Sequence, residues 1–314
     1  MSGPVRTLKA RAKTQIVDQI RAEQSQRPKE QRFTTGEILR TIQLPKATYY
    51  DERQRIAHPS TKYARVKQVI LKIVEEGRVR GRSTYGYRRV KAKLEELGIH
   101  LADTTVESLM HQLGVQVSMY NRHRNHQYHS YKGHVGTTAD NLLEQTFNET
   151  NPYQVIHTDV SQIKLANKQW AYISVMIDEA SKEVLAFQVS DSPNRLLIMN
   201  TLEQLENQLP ATATPIIHSD QGWHYQLPYY IQRLKNHHFV QSMSRKGNCL
   251  DNAPVESFFH LFKTELLNGF PPCKNLSEFK QSATQYVHYF NYERISLKTK
   301  GMTPVEYRNH ALAA

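Results

Sequence analysis

Only two cysteines, Cys249 and Cys273, occur in 314 residues. They are too few and too far apart for a disulfide framework, or for a zinc module built from paired His and paired Cys. Long apolar runs are missing too. No stretch approaches eighteen apolar residues, so the sequence offers no membrane span, and the start, M-S-G-P-V-R-T-L-K, lacks the apolar core of a secretory signal. The expected compartment is the cytoplasm. With 39% hydrophobic and 22% charged residues the chain has enough apolar material for globular domains, and its length allows two or more.

Acidic residues are in short supply in one half only. The net charge is +12, and residues 1–150 hold 26 Lys+Arg against 15 Asp+Glu, whereas the rest hold 15 against 14. A basic half beside a neutral half suits a chain that grips a polyanion with one part and keeps chemistry in the other. A solvated basic face is the plainer reading of the same pattern.

The neutral half is organised around 215–267. Pro215 to His218 is a short apolar run that delivers Asp220 to its carboxyl end and turns at Gly222, as a buried strand does. Pro254 opens a helix with Glu256 in its first turn, and thirty-five residues lie between Asp220 and Glu256. Upstream, V-I-H-T-D-V is a second apolar strand centred on Asp159. Two strands and one helix thus each offer one carboxylate. Three such acids brought together would repel by roughly 4 kcal/mol per pair at about 4 Å in an effective dielectric near 20. They persist around cations or by taking up protons. Hard oxygen donors suit Mg²⁺ or Mn²⁺, whose remaining positions a phosphate can fill.

The motifs H-T-D-V-S, H-S-D-Q-G and S-R-K-G-N-C-L-D-N-A-P-V-E-S-F-F resemble the Asp-Asp-Glu transposases of bacterial insertion sequences, closest to the downstream-frame protein of the IS-three family and more distantly to retroviral integrases. The resemblance runs from about Tyr85 to the C-terminus. His157 departs from it, since an apolar or aromatic residue is more usual there. The resemblance implies an α/β, ribonuclease H-like catalytic core behind an all-α, helix-turn-helix-like basic region. It also implies two Mg²⁺ (or Mn²⁺) ions held by Asp159, Asp220 and Glu256, and double-stranded DNA (element ends and target) as partner. Homo-oligomers on DNA, a circular double-stranded intermediate, fusion by frameshifting to an upstream-frame helix-turn-helix protein, and residence at the bacterial nucleoid follow from the same likeness. A DNA-binding regulator without catalysis, and a ribonuclease H-like nuclease without joining activity, remain open beside the transposase.

Read in order, the chain divides into a basic helical region 1–59, a helical DNA-binding region 60–135, a catalytic core 136–275 and a helical extension 276–314. Thr34 or Thr35 caps a helix through Ile42, Gln43 and Leu44 turn, and Pro45 begins a second helix, the pattern of a helix-turn-helix. Val66, Val69, Ile70, Ile73 and Val74 make one apolar helical face that ends at Gly77. The segment R-V-R-G-R-S-T-Y-G-Y-R-R-V reads as a loop whose Arg78, Arg80, Arg82, Arg88 and Arg89 meet phosphates beside Tyr85 and Tyr87. An exposed loop with tyrosines packed on the next helix is the structural counterpart. A helix from Arg88 to Leu97 follows, and Thr104 with Glu107 has capping-box spacing. His123, His126 and His129 lie in a polar basic stretch better suited to tracking DNA than to binding metal. Asp178 to Lys182 signal a hairpin between two apolar runs, and strands then alternate with helices, the order of a ribonuclease H-like sheet.

Secondary candidates surround the acids. His157 and His218 each sit two positions before an acid, on the same strand face, where packing competes with orienting a carboxylate or touching phosphate. Asp178 suits a hairpin turn and Asp251 a helix cap. Arg245 and Lys246 mark a loop over the DNA, while His260 and Lys263 share the helical face of Glu256, with Lys263 aimed at phosphate.

Overall fold

The computed structural model describes residues 8–58, 61–117, 119–121, 138–245 and 249–314. The chain forms two compact units, Met1–Val66 and Lys67–Ala314. In the first, α1 (Ala10–Gln24), α2 (Thr35–Thr41) and α3 (Lys46–Ala57) close on Val17, Ile38, Leu39, Ile42, Leu44 and Tyr49. Thr34 caps α2 in a reciprocal box with Glu37. Gln43 takes up φ 53° in the tight turn before α3, as the expected turn required. The Tyr49 hydroxyl donates to Asp18 (2.6 Å) and accepts from Arg21 (2.9 Å), so the buried ring keeps its polar end paired.

Helix α4 (Ala64–Glu76) carries the chain into the second unit, and its buried Ile70, Ile73 and Val74 belong to the expected stripe. The Arg-rich segment then departs from expectation. It folds into a two-stranded hairpin, β1 (Arg78–Val79) with β2 (Arg82–Ser83), followed by α5 (Tyr87–Glu96) and α6 (Asp103–Gln112). Helix α6 starts one residue before Thr104 and has no side-chain cap, and Asp103 instead accepts from Lys91 at 2.6 Å.

The core sheet has five strands: β3 (Val155–Lys164), β4 (Trp170–Asp178), β5 (Val184–Ser190), β6 (Ile216–Ser219) and β7 (Val240–Met243), in the order β5-β4-β3-β6-β7. The first three are antiparallel neighbours; β6 and β7 add in parallel. Between β5 and β6 runs α7 (Arg195–Gln208), and between β6 and β7 runs α8 (Pro228–Asn236). After β7 come α9 (Ala253–Phe262), a π-helical turn Lys263–Leu267, α10 (Leu276–Tyr292) and α11 (Pro304–Ala313).

Side-chain parity sorts the two cores, because alternate residues of a strand face opposite sides. Ile156, Met176, Leu185, Ala186 and Ile217 pack with α7 and α8, while Ile173, Val175, Ile177 and Val184 pack with α9 and α10. The sheet is therefore covered on both faces. Phe258 meets Phe290 edge-on at 5.0 Å and Phe262 meets Tyr286 at 5.2 Å, each such pair worth about 0.5–1.5 kcal/mol beyond its buried area. These rings fix α9 over the sheet.

Candidate active site

Parity also places the acids. Ile156 and Val160 of β3 point to the α7 side, so His157 and Asp159 between and beside them face α9; Ile217 of β6 likewise leaves His218 and Asp220 facing α9. The parallel register pairs His157 with His218. The pairing ends at Thr158 and Ser219, so Asp159 and Asp220 follow directly on neighbouring parallel strands, which lie about 4.8 Å apart. Gly222 makes the turn after β6 possible. Its N–H donates to Asp220 Oδ1 (2.9 Å), and a Cβ there would stand 2.9 Å from that oxygen and 3.1 Å from the His224 ring.

Helix α9 covers this end of the sheet and carries Glu256 in its first turn. Burial, then the Asp220 charge, raises the Asp159 pKa well above the carboxylate range; Glu256 raises it further, while the Val160 N–H and Lys263 pull the other way. Burial raises Asp220, against its hydrogen bond from Gly222, and burial followed by the Asp220 charge raises Glu256. Lys263, the first residue of the π-helical turn after α9, is lowered by burial and held up by Asp159. Asp159 thus feels each of the other three groups, and Glu256 feels Asp220. Among the described residues no three His, Cys, Asp or Glu side chains are drawn into a ready coordination shell. Three acids without a counter-ion repel one another apart or protonate, so an open arc is their expected state. The donor set, hard carboxylate oxygens alone, fits Mg²⁺ or Mn²⁺.

The chain is 40% identical over 279 residues to the InsK protein of insertion sequence element IS150 from Escherichia coli (strain K12), an alignment spanning 88% of this chain and 94% of that one. The chain belongs to the IS-three family of insertion-sequence transposases. It is also 29% identical over 237 residues to the InsF transposase of insertion sequence IS3A from the same organism, covering 76% of this chain and 81% of the relative. Models described as "Integrase core domain" match residues 149–249 and 256–312, and one described as "HTH-like domain" matches 62–123. Among solved structures, the catalytic core domain of the HTLV-2 integrase in complex with magnesium aligns with 50% of this chain and 97% of that chain, at 15% identity and a TM-score of 0.39. The corresponding domain of BIV integrase aligns with 51% and 97%, at 19% and 0.41. The transposase is a polynucleotidyl transferase with a ribonuclease H-like core.

Several side chains expected at DNA are spent inside the transposase. Tyr85 is 1% exposed; its hydroxyl donates to the Glu293 carbonyl (2.6 Å) and accepts from Ile295 N–H (3.1 Å). Burial at the junction with α10 corrects its assignment to phosphate. Gly77 allows that burial, since a Cβ would fall 2.5 Å from the Tyr85 ring. Arg80 and Arg82 donate to the carbonyls of Leu266 (3.2 Å) and Asn268 (2.6 Å), with guanidinium groups 4.5 and 5.1 Å from the Phe270 ring centre. Arg89 donates to the Thr84 carbonyl at 2.7 Å. The hairpin therefore docks on the turn after α9. Arg78 pairs with Glu75, and Arg88 is exposed beside Tyr87.

On the catalytic side, His218 is fully buried and paired through Nδ1 with Ser242 Oγ (2.9 Å), which removes it from phosphate contact. Its Nε2 is buried without a partner among the described residues. Asp251 is not a helix cap. It accepts from Arg245 N, Nε and Nη2 at 2.8, 3.1 and 3.0 Å, and from Gln145. The Arg245 side chain remains 60% exposed around this contact. Asp178 holds its turn by accepting from Ser181 N–H and Oγ. His260 is exposed. Lys246 and the histidines 123, 126 and 129 lie outside the described residues.

Two groupings carried no readable signal. His157 is bonded on one side to Glu179 and on the other to Asn252. Glu265, in the π-helical turn, is buried with Arg294, Tyr120 and Tyr286. Partners separated by 21 to 145 residues leave no spacing for a sequence to display.

Proposed function

We propose that this transposase binds the terminal repeats of its element and catalyses metal-dependent DNA cleavage and strand transfer. The reading rests on one observation above the rest: Asp159, Asp220 and Glu256 face one side of the sheet end, and each is raised by burial, with a neighbouring acid adding to the rise at Asp159 and Glu256. Asp159 and Asp220, on adjacent parallel strands, would share one Mg²⁺, and Glu256 would complete the site of a second. Such ions would lower the pKa of a water or a 3′-hydroxyl and stabilise the leaving oxygen of an in-line displacement. Lys263, facing Asp159 without a closed ion pair, supplies positive charge for a phosphate oxygen. Rigid strands set the spacing of the two aspartates, so the chain orients the phosphodiester by where its backbone ends.

DNA would run over the exposed cations, Arg78, Arg88 and Arg245, with Tyr87 beside them, and over the helix-turn-helix-like regions. Assembly as a homo-oligomer on DNA and cooperation with an upstream-frame helix-turn-helix protein belong to the same proposal. Asp159→Asn, Asp220→Asn and Glu256→Gln should each abolish cleavage and joining of DNA taken from the flanks of the reading frame, while fluorescence anisotropy shows DNA binding nearly unchanged. Cleavage that survives these changes would overturn the reading.

A further inference from the structure

The structure gives the His157 imidazole work that no hydrocarbon side chain could do. The ring is fully buried. Its Nε2 lies 2.7 Å from Glu179 Oε2 and its Nδ1 2.9 Å from Asn252 Oδ1, so each ring nitrogen has a hydrogen-bonding partner. The orientation of Asn252 is settled by its other end, because its amide nitrogen donates to the Thr158 carbonyl (3.1 Å), leaving only the oxygen for the ring.

Asn252 occupies the N-cap of α9, a position where asparagine ordinarily spends its side chain on the helix's own N–H groups. Here it makes no such bond. Both ends of its amide reach across to β3 instead. Thr158 immediately precedes Asp159, and Glu256 lies one helical turn beyond Asn252, so these bonds tie the start of one acid's helix to the strand of another. Glu179 anchors the far side: its N–H donates to the Val155 carbonyl (2.9 Å) and its Oε1 accepts from Glu149 N–H (3.0 Å).

We infer that His157 is a positioning residue which, backed by Glu179 and acting through Asn252, holds the first turn of the Glu256 helix against the strand of Asp159. The catalytic consequence rests on the proposed function; the mechanical link does not. Simple core filling would be served by leucine or phenylalanine, and would leave the Asn252 oxygen and Glu179 Oε2 without the ring as partner in the interior.

The test uses the full chain and two readouts. In His157→Leu, and in Asn252→Ala should the first variant fail to fold, amide hydrogen exchange across residues 255–259 should quicken about 10-fold or more relative to wild type, as local opening of that turn requires. The Mn²⁺ concentration for half-maximal DNA cleavage should rise about 10- to 100-fold, the usual cost of losing an outer partner of a metal site, with KM for DNA unchanged. Asp159→Asn should abolish cleavage with exchange at 255–259 as in wild type. Unchanged exchange in both variants overturns the inference, whatever happens to activity. Faster exchange with an unmoved Mn²⁺ requirement overturns the positioning role. If wild type itself shows no metal-dependent cleavage, exchange still decides the link, and the proposed function is what fails.

Discussion

Arg294 donates three hydrogen bonds, at 2.7, 3.0 and 3.1 Å, to the two oxygens of Glu265, and the two side chains are 4% and 0% exposed. Tyr286 and Tyr120 donate to the same carboxylate at 2.9 and 2.5 Å. Burial opposes both charges, yet Arg294 keeps Glu265 below its ordinary range and Glu265 keeps Arg294 above its own. Glu265 sits in the π-helical turn that begins at Lys263, and Arg294 reaches it from the end of α10.

Removing one partner should therefore cost far more than a surface change. Arg294→Met leaves a buried carboxylate unpaired and should destabilise the protein by about 3–5 kcal/mol. Glu265→Leu combined with Arg294→Met should recover part of that loss. Urea unfolding followed by circular dichroism measures both, and a double variant worse than the sum of the singles would refute the pairing.

Cations should stabilise the fold in proportion to the acids they relieve. Adding Mg²⁺ at about 100 times its dissociation constant should raise wild-type stability by about 2.7 kcal/mol. Asp159→Asn should melt higher than wild type without metal, because a buried group raised in pKa no longer resists its surroundings. It should gain little from Mg²⁺. Differential scanning calorimetry with and without the ion distinguishes the cases.

Glu183 gives a pH dependence of known sign. Burial lifts its pKa to about 7, against the opposing charge of Arg308, which donates to it at 2.8 Å. For a carboxyl raised above its unfolded value near 4.5, the favourable contribution is complete below pH 4.5 and disappears as pH climbs through 7. The change is of order 3 kcal/mol from a shift of about 2.5 units. Glu183→Gln should flatten the difference in stability between pH 4.5 and 7 while other groups titrate unchanged, and an unaltered pH profile would exclude Glu183 as its source.

Tyr85 and Arg88 should separate packing from DNA contact. Tyr85→Phe removes two buried hydrogen bonds and should lower stability by about 1–3 kcal/mol while the salt dependence of DNA binding stays put. Arg88→Ala, at an exposed position, should leave stability unchanged and reduce the slope of log affinity against log salt by about 1. The reverse pattern would restore the phosphate role to Tyr85.

The sequence by itself determined whatever depends on neighbours along the chain. Apolar alternation and turn residues marked β3 through β7 in order, Thr34 or Thr35 marked the start of α2, and Pro254 placed Glu256 in the first turn of α9. Only the tertiary structure decided which polar side chains face inward. Tyr85, Arg80 and Arg82 read as a DNA-binding loop because the carbonyls, ring and helix that claim them lie about 190 to 210 residues away. Asp251 read as an ordinary helix cap because a cap and its contacts to Arg245 and Gln145 use the same carboxylate. A hydrogen bond is made to whichever partner the fold brings within 3 Å, and a linear chain does not show that choice.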